Sequence, residues 1–460
     1  MNSKGQITVF MSLLFSSILV LFLAAVEITD IYMKKAKTAQ ASKGVCESIK
    51  ADYNAMLFEK YHLLLLDKTY LGKGEGELEN RMCEYLQYTL SDDGFEIDDV
   101  ILTDTEGVLD NDCRVLKEQI EEYMALYLSY TAVENLAEEF LSDDAAEEVQ
   151  NCIEEGKNEE SDESSDWDGD DIRDVLNDGL DAGLLNIVLP SGTTVSGETI
   201  DLSACPSESY EQDTEDDDID TAFDDVDKLE EEIAGISYSS SDIAENYYGI
   251  MYAMTCFTSF TNTGGDGNVF EYEVEYLIAG KDNDYDNLSS VVNRIIIHRL
   301  PVNIAVLLTD ETRMAEIESM ALVLSLIPGI TYGAAKYLLA ACYAYGETIV
   351  EVRSLLAGNS IPAIKTSDEW LLDIENFGEF TDMEGTDYAG ADAIDYEDFL
   401  MLFLAENSKN IYYRMCDVIQ LNISGTYEEF LMENCINAFS ADLKLTNGNY
   451  DYSISCATSY

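Results

Sequence analysis

The chain has 460 residues, 47% of them hydrophobic, which is enough for more than one domain-sized core. Its 92 acidic residues against 25 basic ones leave a net charge of −67. A surface of that sign repels polyanions, which excludes nucleic acid as a partner and leaves divalent cations or basic protein patches as counter-charges.

The first element is set by "KGQITVFMSLLFSSILVLFLAAVEITD" (Lys4 to Asp30). Ile7 to Val26 is uncharged and broken only by Thr8, Ser12, Ser16 and Ser17. Twenty helical residues rise about 30 Å, the thickness of a bilayer's hydrocarbon core. Secretory signals have a shorter apolar region and an A-x-A-like cleavage site, which Leu23-Ala24-Ala25 matches poorly. The expectation is a retained single-pass span over 7–26. Beyond it, Ala39, Ser42, Cys46, Ile49, Tyr53 and Met56 recur three and four residues apart, the spacing of a helix with one packing face. No proline occurs from Gln6 to Leu57, so one helix of about 75 Å is expected there, half in lipid and half a stalk. The alternative is a membrane helix, a break and a separate amphipathic helix. Lys34, Lys35, Lys37 and Lys43 follow the span, and counting them alone places that flank in the cytoplasm. They begin well beyond the span, however, and the large acidic domain is expected outside.

"YNAMLFEKYHLLLLD" (Tyr53 to Asp67) joins the stalk to a globular head. "FEIDDVILTD" (Phe95 to Asp104) reads as a strand, and Arg114 to Phe140 as a helix. Residues 58–152 form the first part of the head. Residues 153–228 read as an acidic insertion: Glu154 to Asp171 holds ten acidic residues, and Glu208 to Asp227 holds eleven. Such segments bury too little apolar surface to offset chain entropy, so disorder or solvated loops are expected. "LLNIVLPSGTTVSGETIDL" (Leu184 to Leu202) is expected to be a short ordered piece within it.

Residues 229–460 form the main part of the head. Leu229 to Phe260 reads as mainly helical. "VFEYEVEYLIAG" (Val269 to Gly280) alternates apolar residues with Glu271, Glu273 and Glu275, which predicts a half-buried strand. A helix follows through "NLSSVVNRIIIHRL". Glu318 to Gly346 predicts two buried helices joined at Pro328-Gly329, not a second span. Helices are expected at "YEDFLMLFLAEN" and "IYYRMCDVIQLNI", then a hairpin turning at Asn447-Gly448. Strands and helices mix without regular alternation, so the fold class is α+β.

Few residues offer chemistry. The ten cysteines form no C-x-x-C pair and there are two histidines, so no zinc spacing exists. The cysteines fit either disulfides or dispersed buried thiols. Asp282, Asp284 and Asp286 are the calcium candidates, in "DNDYDN". That loop has Asn287 at the place of the usual glycine and Asn293 at the place of the bidentate glutamate. "DWDGDD" (Asp166 to Asp171) has its glycine too early for such a loop. No G-x-S-x-G, H-E-x-x-H or P-loop occurs, and His62 and His298 sit among apolar residues with no visible partner. No enzyme, cofactor or metal is expected.

Two resemblances add to this reading. Lys4-Gly5-Gln6 before an apolar helix resembles the amino terminus of pilin-like proteins, and "KGQITVFMSLLFSSILVLFLAAVE" resembles the TadE/TadG-like proteins of Tad pilus systems. The resemblance implies a candidate prepilin-type cleavage after Gly5. Pilins carry glutamate five residues after the cut, where this chain has Phe10, and Glu27 lies at the other end of the span. In the head, "EYEVEYLIAGKDNDYDNLSSVVNRIIIHRLPVNIAVLLTD", "AGNSIPAIKTSDEWLL" and "YRMCDVIQLNI" are similar to an uncharacterised family of Gram-positive bacteria with the same amino terminus. Its members tend to be encoded with Tad pilus genes. The implied function is a membrane-anchored minor pseudopilin or accessory factor in Tad-type pilus assembly or surface adhesion. Its partners would be the lipid bilayer and other pilin-like or pilus-assembly membrane proteins. The alternative is an anchored extracytoplasmic binding or sensing domain, dependent on a divalent cation.

Overall fold

The structure, a computed structural model, describes residues 3–127, 184–210, 240–264, 267–326, 331–363, 365–372, 383, 385–390, 392–406 and 410–460. In chain order come helices α1 (Ser3–Lys50) and α2 (Ala55–Tyr61), strand β1 (Leu66–Asp67), α3 (Glu77–Leu90), β2 (Glu96–Gly107) and α4 (Asp110–Tyr127). Next are α5 (Leu184–Val188), α6 (Pro206–Tyr210), α7 (Ser240–Cys256), α8 (Glu273–Ala279), α9 (Asp284–Thr309), α10 (Glu311–Leu324) and α11 (Tyr332–Leu356). Then follow β3 (Ile361–Pro362), β4 (Ala393–Ile394), α12 (Tyr396–Glu406), α13 (Ile411–Ser424), β5 (Cys435–Asn447) and β6 (Tyr450–Ser459). The fold class is α+β, as the mixed patterns predict, and it begins with the long apolar helix.

The chain forms two compact units, Met1–Leu116 with Thr426–Tyr460, and Lys117–Gly425. The carboxyl-terminal hairpin joins the first unit because β5 pairs with β2. In the first unit β5 is central. It pairs antiparallel with β2 along one edge, and with β6 and the short β1 along the other. Phe439, Ala441, Leu443 and Leu445 alternate along β5 on its buried face. They pack with Leu78, Met82, Leu86 and Leu90 of α3 and with Ala41, Val45, Cys46 and Ile49 of α1. The hairpin pairs Asn447 with Tyr450 across Gly448-Asn449, and Gly448 has a φ of 64°, which glycine adopts at no steric cost.

Helix α1 runs unbroken for 48 residues, about 72 Å at the α-helical rise. It stops at Lys50, short of the expected Leu57. Asn54 is the reason: its side chain accepts hydrogen bonds from the backbone N–H groups of Met56 (3.0 Å) and Leu57 (3.3 Å) and so starts α2 as a new helix. β2 covers the expected strand and extends it to Gly107. α4 opens with Asn111, Asp112 and Cys113 in left-handed conformation; the expected continuation to Phe140 lies outside the described residues.

In the second unit α9 is the central helix, and Leu288, Val291, Val292, Ile295 and Ile296 along it are fully buried. The expected strand over Val269 to Gly280 is instead a helix, α8. Of its alternating acids Glu271 is exposed, but Glu273 and Glu275 are 1% and 0% exposed and hydrogen-bonded inside. Period two therefore arose in part from buried carboxylates rather than from a pleated, half-wet face. The two helices expected over Glu318 to Gly346 exist as α10 and α11, with the Pro328-Gly329 join outside the described residues. The end of α10 is not buried as expected: Leu322 and Val323 are 61% and 64% exposed. Of the acidic insertion, the described part is 184–210. There Leu185 and Val188 are buried, Ile200 N–H donates to Asp282 O (2.7 Å), and Tyr285 N–H donates to Ser196 O (2.9 Å). The acid runs themselves fall almost wholly outside the described residues, as does Cys152.

Candidate functional site

Two described helices are long and apolar enough to cross a membrane, α1 from Ile7 and α9. The most apolar stretch of α9 is 67% buried, which makes it a core helix; that of α1 is 0% buried. From Ile7 to Ile28 large apolar side chains stand exposed all round α1, among them Phe10, Phe15, Leu21 and Phe22. An apolar surface of that extent is foreign to a protein surface in water. The polar side chains within it are internally satisfied. Ser12, Ser16 and Ser17 donate to the carbonyls of Val9, Leu13 and Leu14 at 2.9, 3.1 and 2.9 Å. In hydrocarbon no water would accept those protons, so hydroxyls bonded to their own helix are compatible with lipid.

The character of α1 changes after this stretch. Asp30 and Lys34 form an ion pair at 2.7 Å, Lys37 pairs with Asp93, and Tyr450 donates to Glu27. From Thr38 to Ile49 one stripe is buried on the sheet and α3, while Lys43 and Gly44 face out. Tyr460 donates to Lys50 O at 2.8 Å and closes the end. The candidate cut after Gly5 lies inside α1, and Phe10 is 62% exposed.

The three calcium candidates do not converge. Asp284 accepts from the backbone N–H groups of Glu271 and Tyr272, both at 3.2 Å. Asn283 caps α9, accepting from Asp286 N–H at 2.8 Å, and its amide Nδ2 donates to Asp282 (3.0 Å) and Asp286 (2.6 Å). An amide thus occupies the position between two carboxylates that a cation would need. Among the described residues no group of three or more His, Cys, Asp or Glu is placed to hold a metal ion. His62 ends α2 in left-handed conformation, φ 58°. His298 is buried beside Phe403, with Nε2 3.7 Å from Glu406; burial, reinforced by Arg294, pushes its imidazole down to about 4, so it is neutral at pH 7.

What the linear reading missed is a sealed ionic cluster in the second unit. Glu347 and Glu351 lie one turn apart on α11, both 0% exposed. Arg299 from α9 grips Glu351 with two hydrogen bonds of 3.1 and 2.9 Å, and Asn303 Nδ2 adds a third at 2.8 Å. Lys365, 3% exposed, bridges Glu347 and Glu351. Glu347 also accepts from the N–H groups of Leu371 (2.9 Å) and Leu372 (2.8 Å). Burial favours the neutral form of Glu351, but Arg299 and Lys365 outweigh it and hold that carboxyl down to about 2. Glu347 lacks the arginine, and burial pushes it up despite Lys365. Charged residues one turn apart on an apolar helix are a readable signal for buried pairing; the partners, tens of residues away, are not.

A second buried group centres on α8. Glu275 Oε1 accepts from Phe260 N–H (2.9 Å) and the Tyr396 hydroxyl (2.8 Å), while Oε2 is buried with no hydrogen-bond partner. Burial pushes this carboxyl up to about 7. Glu273 accepts from Thr258 N–H at 2.9 Å, and Arg414 donates to Leu277 O (3.2 Å) and Ile278 O (2.7 Å), satisfying the last carbonyls of α8. Both groups lock helices together, and neither offers an open face with a nucleophile and base within reach.

No curated protein and no solved structure matches the chain. One family model, described as a family of unknown function (DUF5702), matches residues 161–447 and leaves α1 outside the match. That span exceeds half the chain, so the protein belongs to DUF5702.

Proposed function

We propose that this chain is a membrane-anchored, pilin-like envelope protein that acts through packing rather than chemistry. The observation that carries the reading is the division of α1: one continuous helix whose first half is apolar and exposed, and whose second half is buried on an antiparallel sheet. A helix of this kind can sit in a bilayer by its first half while the sheet holds the second half above it. The resemblance of Lys4 to Glu27 to TadE/TadG-like proteins supports the finer reading, a minor pseudopilin or accessory factor in Tad-type pilus assembly or adhesion. On this reading the acidic surface faces away from the membrane, where anionic headgroups repel it. Its partners are the lipid bilayer and other pilin-like membrane proteins.

Flotation tests the anchor: the full chain should rise with zwitterionic lipid vesicles, and a chain lacking residues 3–30 should stay at the bottom. Equal flotation of both would remove the basis of the reading. Sequencing the amino terminus of the mature protein then tests processing, since prepilin-type cleavage gives a start at Gln6. Deleting the gene and imaging the cells tests the pilus role; unchanged pili and adhesion would count against it.

A further inference from the structure

Cys46 and Cys456 are 410 positions apart in the chain and meet inside the first unit. Cys46 lies in the buried stripe of α1, 4% exposed, between Val45 and Ile49 of the same core. Cys456 pairs with Ala441 across the β5–β6 ladder and packs, partly buried, against that core. Ala441 is fully buried, and its small side chain lets the helix approach the strands there. Cys46 and Cys456 therefore face the same core from the helix and from the strand, and each perturbs the ionisation of the other.

We propose that Cys46 and Cys456 form an intramolecular disulfide in an oxidising compartment, tying the stalk half of α1 to the last strand of the sheet. The inference goes beyond the pilin-like reading and rests on the packing of the first unit alone. Thiols that face one shared core from a helix and an adjacent strand need little backbone movement to bond. Cys456 is the natural attacking group, because it is the less buried of the two. With a small-molecule disulfide as oxidant, the Cys456 thiolate attacks one sulfur, the external S–S bond breaks, and one thiolate leaves. Cys46 then gives up its proton, attacks Cys456 Sγ and expels the second thiolate. Two protein thiols are oxidised by two electrons, and the external disulfide is reduced to two thiols that take the two protons. The bond matters mechanically. α1 is the chain's proposed tether, and without a covalent link only side-chain packing, an ion pair to Asp93 and the hydrogen bonds of Tyr450 and Tyr460 resist its being pulled off the sheet.

The test uses the full chain in detergent micelles, treated with oxidised glutathione, then denatured, alkylated and digested. Of the ten cysteines, Cys46 and Cys456 should escape alkylation and appear as one linked peptide pair that reduction separates. The monomer band on a non-reducing gel should carry this link. Cys83→Ser, which removes a neighbouring thiol of the same core, should leave the link intact, whereas Cys456→Ser should abolish it. Full alkylation of Cys46 and Cys456 in the oxidised wild-type chain would overturn the proposal. So would a link joining either residue to Cys83, or one found only between two chains.

Discussion

At the scale of single residues, buried carboxylates decide how this protein answers pH. Glu275 is a carboxyl whose folded value, about 7, lies above its ordinary 4.5. Its contribution to stability is therefore full below pH 4.5, falls as pH rises toward 7, and stays low above that. The difference amounts to about 3 kcal/mol at most, from roughly 1.4 kcal/mol per unit. Glu275→Gln keeps an oxygen for Phe260 and Tyr396 and cannot ionise, so it should be more stable than wild type at pH 8 but not at pH 4.5, as thermal unfolding at both pH values will show. Glu351 has the opposite sign: its carboxyl is held at about 2, so its stabilisation is present above pH 4.5 and is lost as pH falls through about 2. Glu351→Ala leaves Arg299 buried without its carboxylate and should cost about 3–5 kcal/mol in urea unfolding. A loss under about 1 kcal/mol would mean that water or Glu347 replaces it.

At the scale of elements, the strand and the hairpin turn read from the chain are found, the first helix ends at Lys50 instead of Leu57, and one element is of another type. The α1 periodicity, the strand from Glu96 and the carboxyl-terminal hairpin follow local rules, because each is bounded by its own caps or turn residues. Gly44 is the weak point in α1, and a Cβ added there meets nothing within 4 Å. Gly44→Ala should therefore stabilise the first unit by about 0.5–1 kcal/mol, measured by thermal unfolding in detergent. Gly448→Val places a β-branched residue at a φ of 64°, and the hairpin should lose on the order of 1 kcal/mol. The failure is α8. An alternating run of glutamate and apolar residues reads as a strand only if glutamate means water, and here Glu273 and Glu275 point inward.

At the scale of the whole molecule, the exposed apolar half of α1 and the strongly acidic charge are properties of the linear chain. Twenty uncharged, mostly apolar residues have no place on a surface in water, whatever the fold does elsewhere, so the expectation of a span needed no tertiary information. The proposed anchoring makes a further prediction: the full chain should require detergent or lipid to stay monodisperse, and removal of residues 3–30 should lift that requirement, as size-exclusion chromatography will show. The sealed cluster of Arg299, Glu347, Glu351 and Lys365, the carboxyl shared by Phe260 and Tyr396, and the meeting of Cys46 with Cys456 were beyond a linear reading. Periodicity and capping act over a few residues and are written in the chain. Which distant charge neutralises a buried one, and which thiol faces another, depends on how helices and strands close on each other, and that only the packed structure decided.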